Sequence, residues 1–301
     1  MFEFTDEPVP VAGVDENGYG PFLGPLVVTR VDLAVDGDPW ILLDLQQRGA
    51  DTPFRDSKQI FRRSVPSYRT GERLALQVLR AAGFRTRAFH ELVHALTGRS
   101  LADLYDPCPD LARWYPDLRL PVWLKHEPDP LPAPLAGVRV AGVAVEILTE
   151  PLFNQQVRRF GSKAFMDFWL FLKVLRRRVP TPEGWAFVGK IGGTRRYGPW
   201  FRRLQESVEV RREHRHHAAY RWHTWSLHFL QDADARWLPV AMASVVGKYL
   251  RELFMLALSR SLGYATPLPY ASGYHHDAHS REIARKLQDL GLPEPCFRRS
   301  R

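Results

Sequence analysis

The sequence VAGVDENGYGPFLGPLVV, Val11 to Val28, carries the reading of the fold. A short apolar run (Val11, Ala12, Val14) leads into two adjacent carboxylates, Asp15 and Glu16. A turn with three glycines and two prolines follows, and then an apolar β-branched segment. This pattern predicts a buried strand that ends in acid and then turns. Carboxylates fixed at the end of a central strand suit Mg²⁺ or Mn²⁺, hard cations that prefer oxygen ligands. Gly18 and Gly20 lack a Cβ and leave room for a polymer backbone to approach. Taken alone, the same residues also describe a solvated Asp-Glu pair before an ordinary Gly-Pro turn.

Outward from this stretch, Leu26 to Val35 alternates as a strand, expected antiparallel to the first. Asp56 and Ser57, both good N-caps, precede Lys58. Apolar spacing predicts helices over 71–82 and 90–96, a buried strand over 138–148, and one long helix over 151–178 with an aromatic centre. Gly161 is read there as a tolerated defect. Strands are expected at 185–191, 208–212 and 220–229, then a helix at 240–262 and a basic amphipathic tail from Ser280. Roughly 98–134 is dense in proline, which forbids regular helix or central strand, and reads as a lobe on the main body.

The opening stretch resembles the first motif of the type 2 ribonuclease H (ribonuclease HII) family, an Asp-Glu pair followed by a Gly-Arg-Gly turn, a Pro and a second Gly-Pro. The matching residues are Asp15, Glu16, Gly18, Gly20, Pro21, Gly24 and Pro25, with Tyr19 where the family has arginine. Asp56-Ser57-Lys58 resembles its Asp-Ser-Lys motif, and Phe153-Asn154 with Lys163 is similar to the helix after its third strand. Ala233-Asp234-Ala235 stands ten residues before Ser244 of an Ala-Ser helix, the archaeal-type spacing, with Lys248 and Arg251-Glu252 following. Ser272-Gly273-Tyr274 resembles the Gly-Tyr motif whose tyrosine packs on a ribose.

The resemblance implies a ribonuclease H-like α/β fold, a mixed five-stranded sheet flanked by helices. It implies a main domain over 1–265, with the proline-rich insertion and an extra strand segment at about 206–228, and a C-terminal extension over 266–301. It also implies two-metal phosphodiester hydrolysis with Mg²⁺ or Mn²⁺ held by Asp15, Glu16 and Asp234. Nucleic acid, an RNA/DNA hybrid or a duplex with embedded ribonucleotides, would meet Gly18, Tyr19, Gly20, Lys58, Lys163, Lys190 and Tyr274. The family's remaining acid, at the end of the strand 185–191, falls on Gly189 here. Glu252, Asp277 and Asp232 are the candidates to replace it. Two other readings follow from the departures: a hybrid-binding protein that does not cut, from Gly189, and a DNA nuclease of the same superfamily, from Tyr19.

A formal net charge of +9 favours a polyanionic partner, because neutralising phosphates releases counterions. Basic clusters recur at Arg176 to Arg178, Arg195-Arg196, Arg202-Arg203 and Arg211-Arg212. The five histidines His214, His216, His217, His223 and His228 invite a metal reading, but no acid or cysteine has ligand spacing there. They are read as lying on a half-buried strand, facing outward or touching nucleic acid. Two cysteines, Cys108 and Cys296, are too few for a disulfide framework or a zinc site and are read as structural or incidental. With no run of about 18 apolar residues and an acidic N-terminus unlike a signal peptide, the expectation is a cytoplasmic protein without membrane contact; the sequence leaves the oligomeric state open, and a monomer is favoured.

Overall fold

In a computed structural model of the chain, residues 7–48, 52–131, 137–177 and 184–300 are described. Arg178 of the basic clusters, residues 1–6 and the end of the proline-rich stretch (132–134) lie outside them. Seven strands form one mixed sheet: β1 (Val9–Asn17), β2 (Leu26–Val35), β3 (Val138–Leu148), β4 (Gly184–Gly189), β5 (Glu209–Glu213), β6 (His217–Trp222) and β7 (Trp225–Leu230), in the order β3-β2-β1-β4-β7-β6-β5. β1, β4 and β7 are parallel neighbours in the middle, and the outer pairs are antiparallel. The mixed α/β class is as expected. The strand count is seven rather than five: the extra strand at 208–212 joins the same sheet as β5, and the segment read as one strand over 220–229 is a hairpin turning at His223 and Thr224, with His223 at φ 51°.

Helices cover both faces. Leu238–Ser261 is apolar nearly all round and buried over most of its length, as a helix enclosed on several sides must be. Gly13 and Gly247 let it sit directly on β1: a Cβ on Gly13 would lie 2.1 Å from the Pro239 carbonyl carbon, and one on Gly247 would lie 2.2 Å from Asn17 Oδ1. Four strand residues (~13 Å) and eight helix residues (~12 Å) span the same length, so the helix runs alongside β1 in the same direction. Strand alternation then gives Gly13, Asp15 and Asn17 to this face.

On the opposite face lie Glu150–Phe160 and Lys163–Arg176. They replace the single helix expected over 151–178. Gly161, at φ 66°, ends the first in the left-handed region, and Ser162 caps the second by accepting from the Phe165 amide. Arg30 of β2 reaches this layer, donating to the Leu175 carbonyl at 2.6 Å.

One carboxylate makes several of the bonds that hold the proline-rich lobe to the body. Glu72, buried in the helix Val65–Ala81, accepts from the backbone amides of Val122, Trp123 and Leu124 and from the Tyr249 hydroxyl. The lobe also carries Cys108, which is bonded to Cys296 across 188 residues. Spacing in sequence could not pair two cysteines so far apart. Cys108→Ser is expected to lower stability by about 2–5 kcal/mol in chemical denaturation without reductant. Excess dithiothreitol should remove the difference from wild type.

Of the histidines, His228 is buried against Trp40 and Trp185, with its Nδ1 3.0 Å from His217 Nε2, rather than facing outward. Burial pushes the two imidazoles down, to about 3 for His228 and about 4 for His217. They are neutral packing groups at physiological pH. No helix among the described residues is long and apolar enough to cross a membrane.

Candidate functional site

The carboxyl ends of the three parallel strands open on a cleft of about 510 Å³. Asp15 and Glu16 come from β1, Gly189 from β4, and Asp232 and Asp234 from the segment after β7. Such crevices at strand ends are where open α/β sheets bind ligands. The basic rim holds Lys58, Lys190, Arg195 and Arg215. A polyanion can lie along that rim while the carboxylates face it from the floor.

Asp15 is buried and Glu16 half-buried. Burial pushes the Asp15 carboxyl well above the usual range, with Glu16 and Asp234 adding to the rise and a hydrogen bond to Ser244 opposing it. Ser244 Oγ in turn stands 2.9 Å from Ser57 Oγ. Glu16 is raised by burial, then by Asp167 and Asp234, and Lys58 opposes. Asp234 is raised by burial and by Asp56, again opposed by Lys58. Burial pushes Lys58 down, but Asp56, Asp234 and Asp15 outweigh it, so its ammonium is held charged.

All three acids predicted from sequence therefore meet here, together with Lys58 and Lys190. The Lys190 Nζ donates to the Arg215 carbonyl. Gly18, Tyr19, Gly20, Lys163 and Tyr274 do not line the cleft; four of them meet in pairs, with Lys163 Nζ 4.3 Å from the Tyr19 ring centroid and a Cβ on Gly20 placed 3.0 Å from Tyr274 Cε1. The Tyr19 hydroxyl is pushed up to about 12 by burial, Asp167 and Glu16.

The candidates offered to replace the acid missing at Gly189 fare differently. Glu252 is held by Lys248 at 2.7 Å and by the Tyr68 hydroxyl at 2.6 Å. Asp277 caps the helix Ala278–Asp289, accepting from Ser272 and Ser280. Asp232 lines the cleft but is exposed. Gly189 does face the site: a Cβ there would stand 3.2 Å from Asp15 Oδ1 and 3.7 Å from Glu16 Oε2.

Two groups were missed from sequence. Asp167, in the helix Lys163–Arg176, is fully buried, and both its carboxylate oxygens lack a hydrogen-bond partner. Burial and Asp15 raise it, and Lys163 opposes. Arg299, from the tail, is buried and braces the glycine turn, donating from Nη1 to the Gly18 carbonyl at 2.6 Å and from its amide to the Phe22 carbonyl at 2.8 Å. Asn154 fixes the same tail through Pro295, Arg298 and Ser300.

Of the basic clusters, Arg195 reaches the cleft, while Arg177 and Arg203 are used internally, on Glu146 and on the Phe160 carbonyl.

Acids at the carboxyl end of β1 and just after β7, on either side of β4 in a mixed, helix-flanked sheet, give the α/β arrangement expected from the opening motif. Residues 205–300, which hold Asp234, the Ala-Ser helix and the Gly-Tyr motif, match the family model described as ribonuclease HII, in line with the resemblance read from those motifs. No curated protein matches. Among solved structures, the ribonuclease H2 from Pyrococcus horikoshii OT3 is 16% identical with a TM-score of 0.46, covering 96% of this chain and 92% of that one. The PCNA:RNase HII complex from Archaeoglobus fulgidus gives 16% and 0.44, covering 97% and 94%. Bst-RNase HIII in complex with Mn²⁺ gives 16% and 0.43, covering 98% and 67%.

Proposed function

We propose that this protein is a metal-dependent endonuclease that hydrolyses phosphodiesters of RNA paired with DNA, in hybrids or at embedded ribonucleotides. The observation that carries the reading is the meeting of Asp15, Glu16 and Asp234 at the end of the parallel strands, under a basic rim. The donor set is all carboxylate oxygen, which fits Mg²⁺ or Mn²⁺. Among the described residues no three such side chains stand in ligating geometry. Uncompensated carboxylates repel, and a cation would draw these together. When bound, the ions supply activation of the attacking water and charge stabilisation on the leaving oxygen.

The chain's own residues have separate tasks in this reading. Asp15, oriented by Ser244, and Glu16 and Asp234 hold the cation. Lys58, kept charged by its acidic neighbours, and Lys190 take the phosphates flanking the scissile bond. Gly18, Tyr19 and Gly20, with Tyr274 against the turn, meet the sugar edge, where the 2′-hydroxyl separates RNA from DNA. Lys163, stacked on Tyr19, sets the position of that ring. The body over 1–265 and the extension over 266–301 are proposed as one working unit, because Arg299 supports the glycine turn. The cytoplasm is the proposed location, and the working form proposed is a monomer.

The test is cleavage of three labelled substrates with Mg²⁺ or Mn²⁺: an RNA/DNA hybrid, a duplex with one ribonucleotide, and an all-DNA duplex. The first two are expected to be cut and the third left intact. Tight binding of the hybrid without cutting would favour the second reading, a non-catalytic binder, for which Gly189 is the specific observation. Cutting of all three would favour a DNA nuclease.

A further inference from the structure

We infer that Asp167 supplies the carboxylate that the strand end lacks at Gly189, completing a four-acid cation site with Asp15, Glu16 and Asp234. This rests on the metal-dependent reading above and names the ligand set of that site.

Three observations carry it. First, the site straddles the end of the sheet. Alternation along β1 gives Asp15 to the face covered by Leu238–Ser261, where it meets Ser244, and gives Glu16 to the face covered by Lys163–Arg176. Asp234 and Lys58 serve the first face. Asp167 comes from the helix on the second face, and among the carboxylates acting on Glu16 its charge acts more strongly than that of Asp234.

Second, among the described residues Asp167 has no hydrogen-bond partner. It is fully buried in a stretch where Phe165, Met166 and Phe168 are buried too, and among the described residues neither oxygen accepts a hydrogen bond. Buried polar groups in native proteins are almost always paired, so an orphan carboxylate calls for an explanation. Lys163, one turn earlier on the same helix, is the natural counter-ion, yet its Nζ is stacked on Tyr19. A cation held between Asp167, Glu16 and Asp15 satisfies the orphaned oxygens and cancels the repulsion among the acids together.

Third, Gly189 and Asp167 serve one centre. The glycine leaves room beside Asp15 Oδ1 and Glu16 Oε2, and the charges of those same two residues are the acidic ones that interact with Asp167. An acid at both places would crowd one centre with five carboxylates. The glycine is thus the complement of the helix-borne acid.

The experiment is titration of the purified full-length protein with Mn²⁺, by calorimetry and by the loss of free-Mn²⁺ electron paramagnetic resonance signal, on wild type, Asp167→Asn and Asp15→Asn, with hybrid cleavage in parallel. Asp167→Asn keeps the shape and is expected to weaken Mn²⁺ binding at least tenfold and to lower cleavage with it. Adding Gly189→Asp to Asp167→Asn should restore binding to within a few-fold of wild type. If wild type binds Mn²⁺, Asp15→Asn binds it at least tenfold more weakly and Asp167→Asn binds as tightly as wild type, the assignment of Asp167 is overturned and the metal reading stands. If wild type binds no Mn²⁺, both are overturned. Should Asp167→Asn fail to fold, Gly189→Asp alone decides: unchanged or weakened Mn²⁺ affinity supports a site already filled by Asp167, and a gain of twofold or more overturns it.

Discussion

Asp15→Asn is expected to reduce cleavage of an RNA/DNA hybrid by about 10³-fold or more while making the metal-free protein more heat-stable at neutral pH. The loss follows from its position. Asp15 is the acid nearest the Gly189 gap, hydrogen-bonded to Ser244 and flanked by Glu16 and Asp234. Removing an anionic ligand from such a site forfeits several kcal/mol of charge stabilisation, and each 1.36 kcal/mol is tenfold in rate.

The gain in stability follows from the same burial. Burial, then Glu16 and Asp234, hold the Asp15 carboxyl above its unfolded-state value. A group raised in this way contributes stability that is present below its unfolded value and is lost as pH rises through its folded value. Without divalent cations, wild type should therefore be more stable on the acid side and lose stability toward neutral pH. Asparagine carries no charge, so the variant should lose less over the same range. Thermal melts in EDTA across that range check this. A variant that melts lower than wild type at neutral pH would show that Asp15 is paired in a way its surroundings do not account for.

Much of this site was legible in the sequence because its acids sit where patterns change. Asp15 and Glu16 end an apolar run, and Asp234 follows β7 and precedes a helix with an Ala-Ser start. Strands β2 and β3 were equally plain, being long apolar runs bounded by glycine or proline. Asp167 was hidden by the opposite circumstance. It lies inside KAFMDFWLFLKVLR, where the aromatic stripe assigns the helix to the core and draws attention from the one acid on it. An acid flanked by Met166 and Phe168 in a buried helix was itself the available signal, since unpaired carboxylates are rarely buried.

Other features needed the third dimension. The β6–β7 hairpin turns on His223-Thr224, which carries none of the glycine or asparagine that marks a tight turn in sequence. The break at Gly161 could be read as a defect because a lone glycine inside a helix costs only about 1 kcal/mol. Only the cap that Ser162 makes decides for two helices. The tail's return to the glycine turn through Arg299, and the bond between Cys108 and Cys296, join segments far apart along the chain. No local pattern records such contacts.

The largest effect on the fold is expected at Gly13. In most strands, replacing an interior glycine by alanine is mildly favourable, because glycine costs about 0.5–1 kcal/mol there. At Gly13 the sign reverses. The added Cβ would lie 2.1 Å from the Pro239 carbonyl carbon, 2.3 Å from its oxygen and 2.5 Å from the Val240 nitrogen. These are backbone atoms in the first turn of Leu238–Ser261, and no side-chain rotation can relieve the contact. Either the helix lifts from β1, withdrawing Ser244 from Asp15 and opening the core between the two, or the strand bends where it pairs with both β2 and β4. Overpacking in cores costs typically 1–3 kcal/mol, occasionally more. A clash between two backbones belongs at or above the top of that range, against a total stability of about 5–15 kcal/mol. Gly13→Ala is therefore expected to yield a largely insoluble protein, or a soluble one whose urea midpoint is sharply lowered. Gly193→Ala, where the new Cβ meets nothing within 4 Å, should melt like wild type. A Gly13→Ala variant as stable as Gly193→Ala would mean that the helix does not lie on β1 at this point, and the approach of Ser244 to Asp15 would have to be built another way.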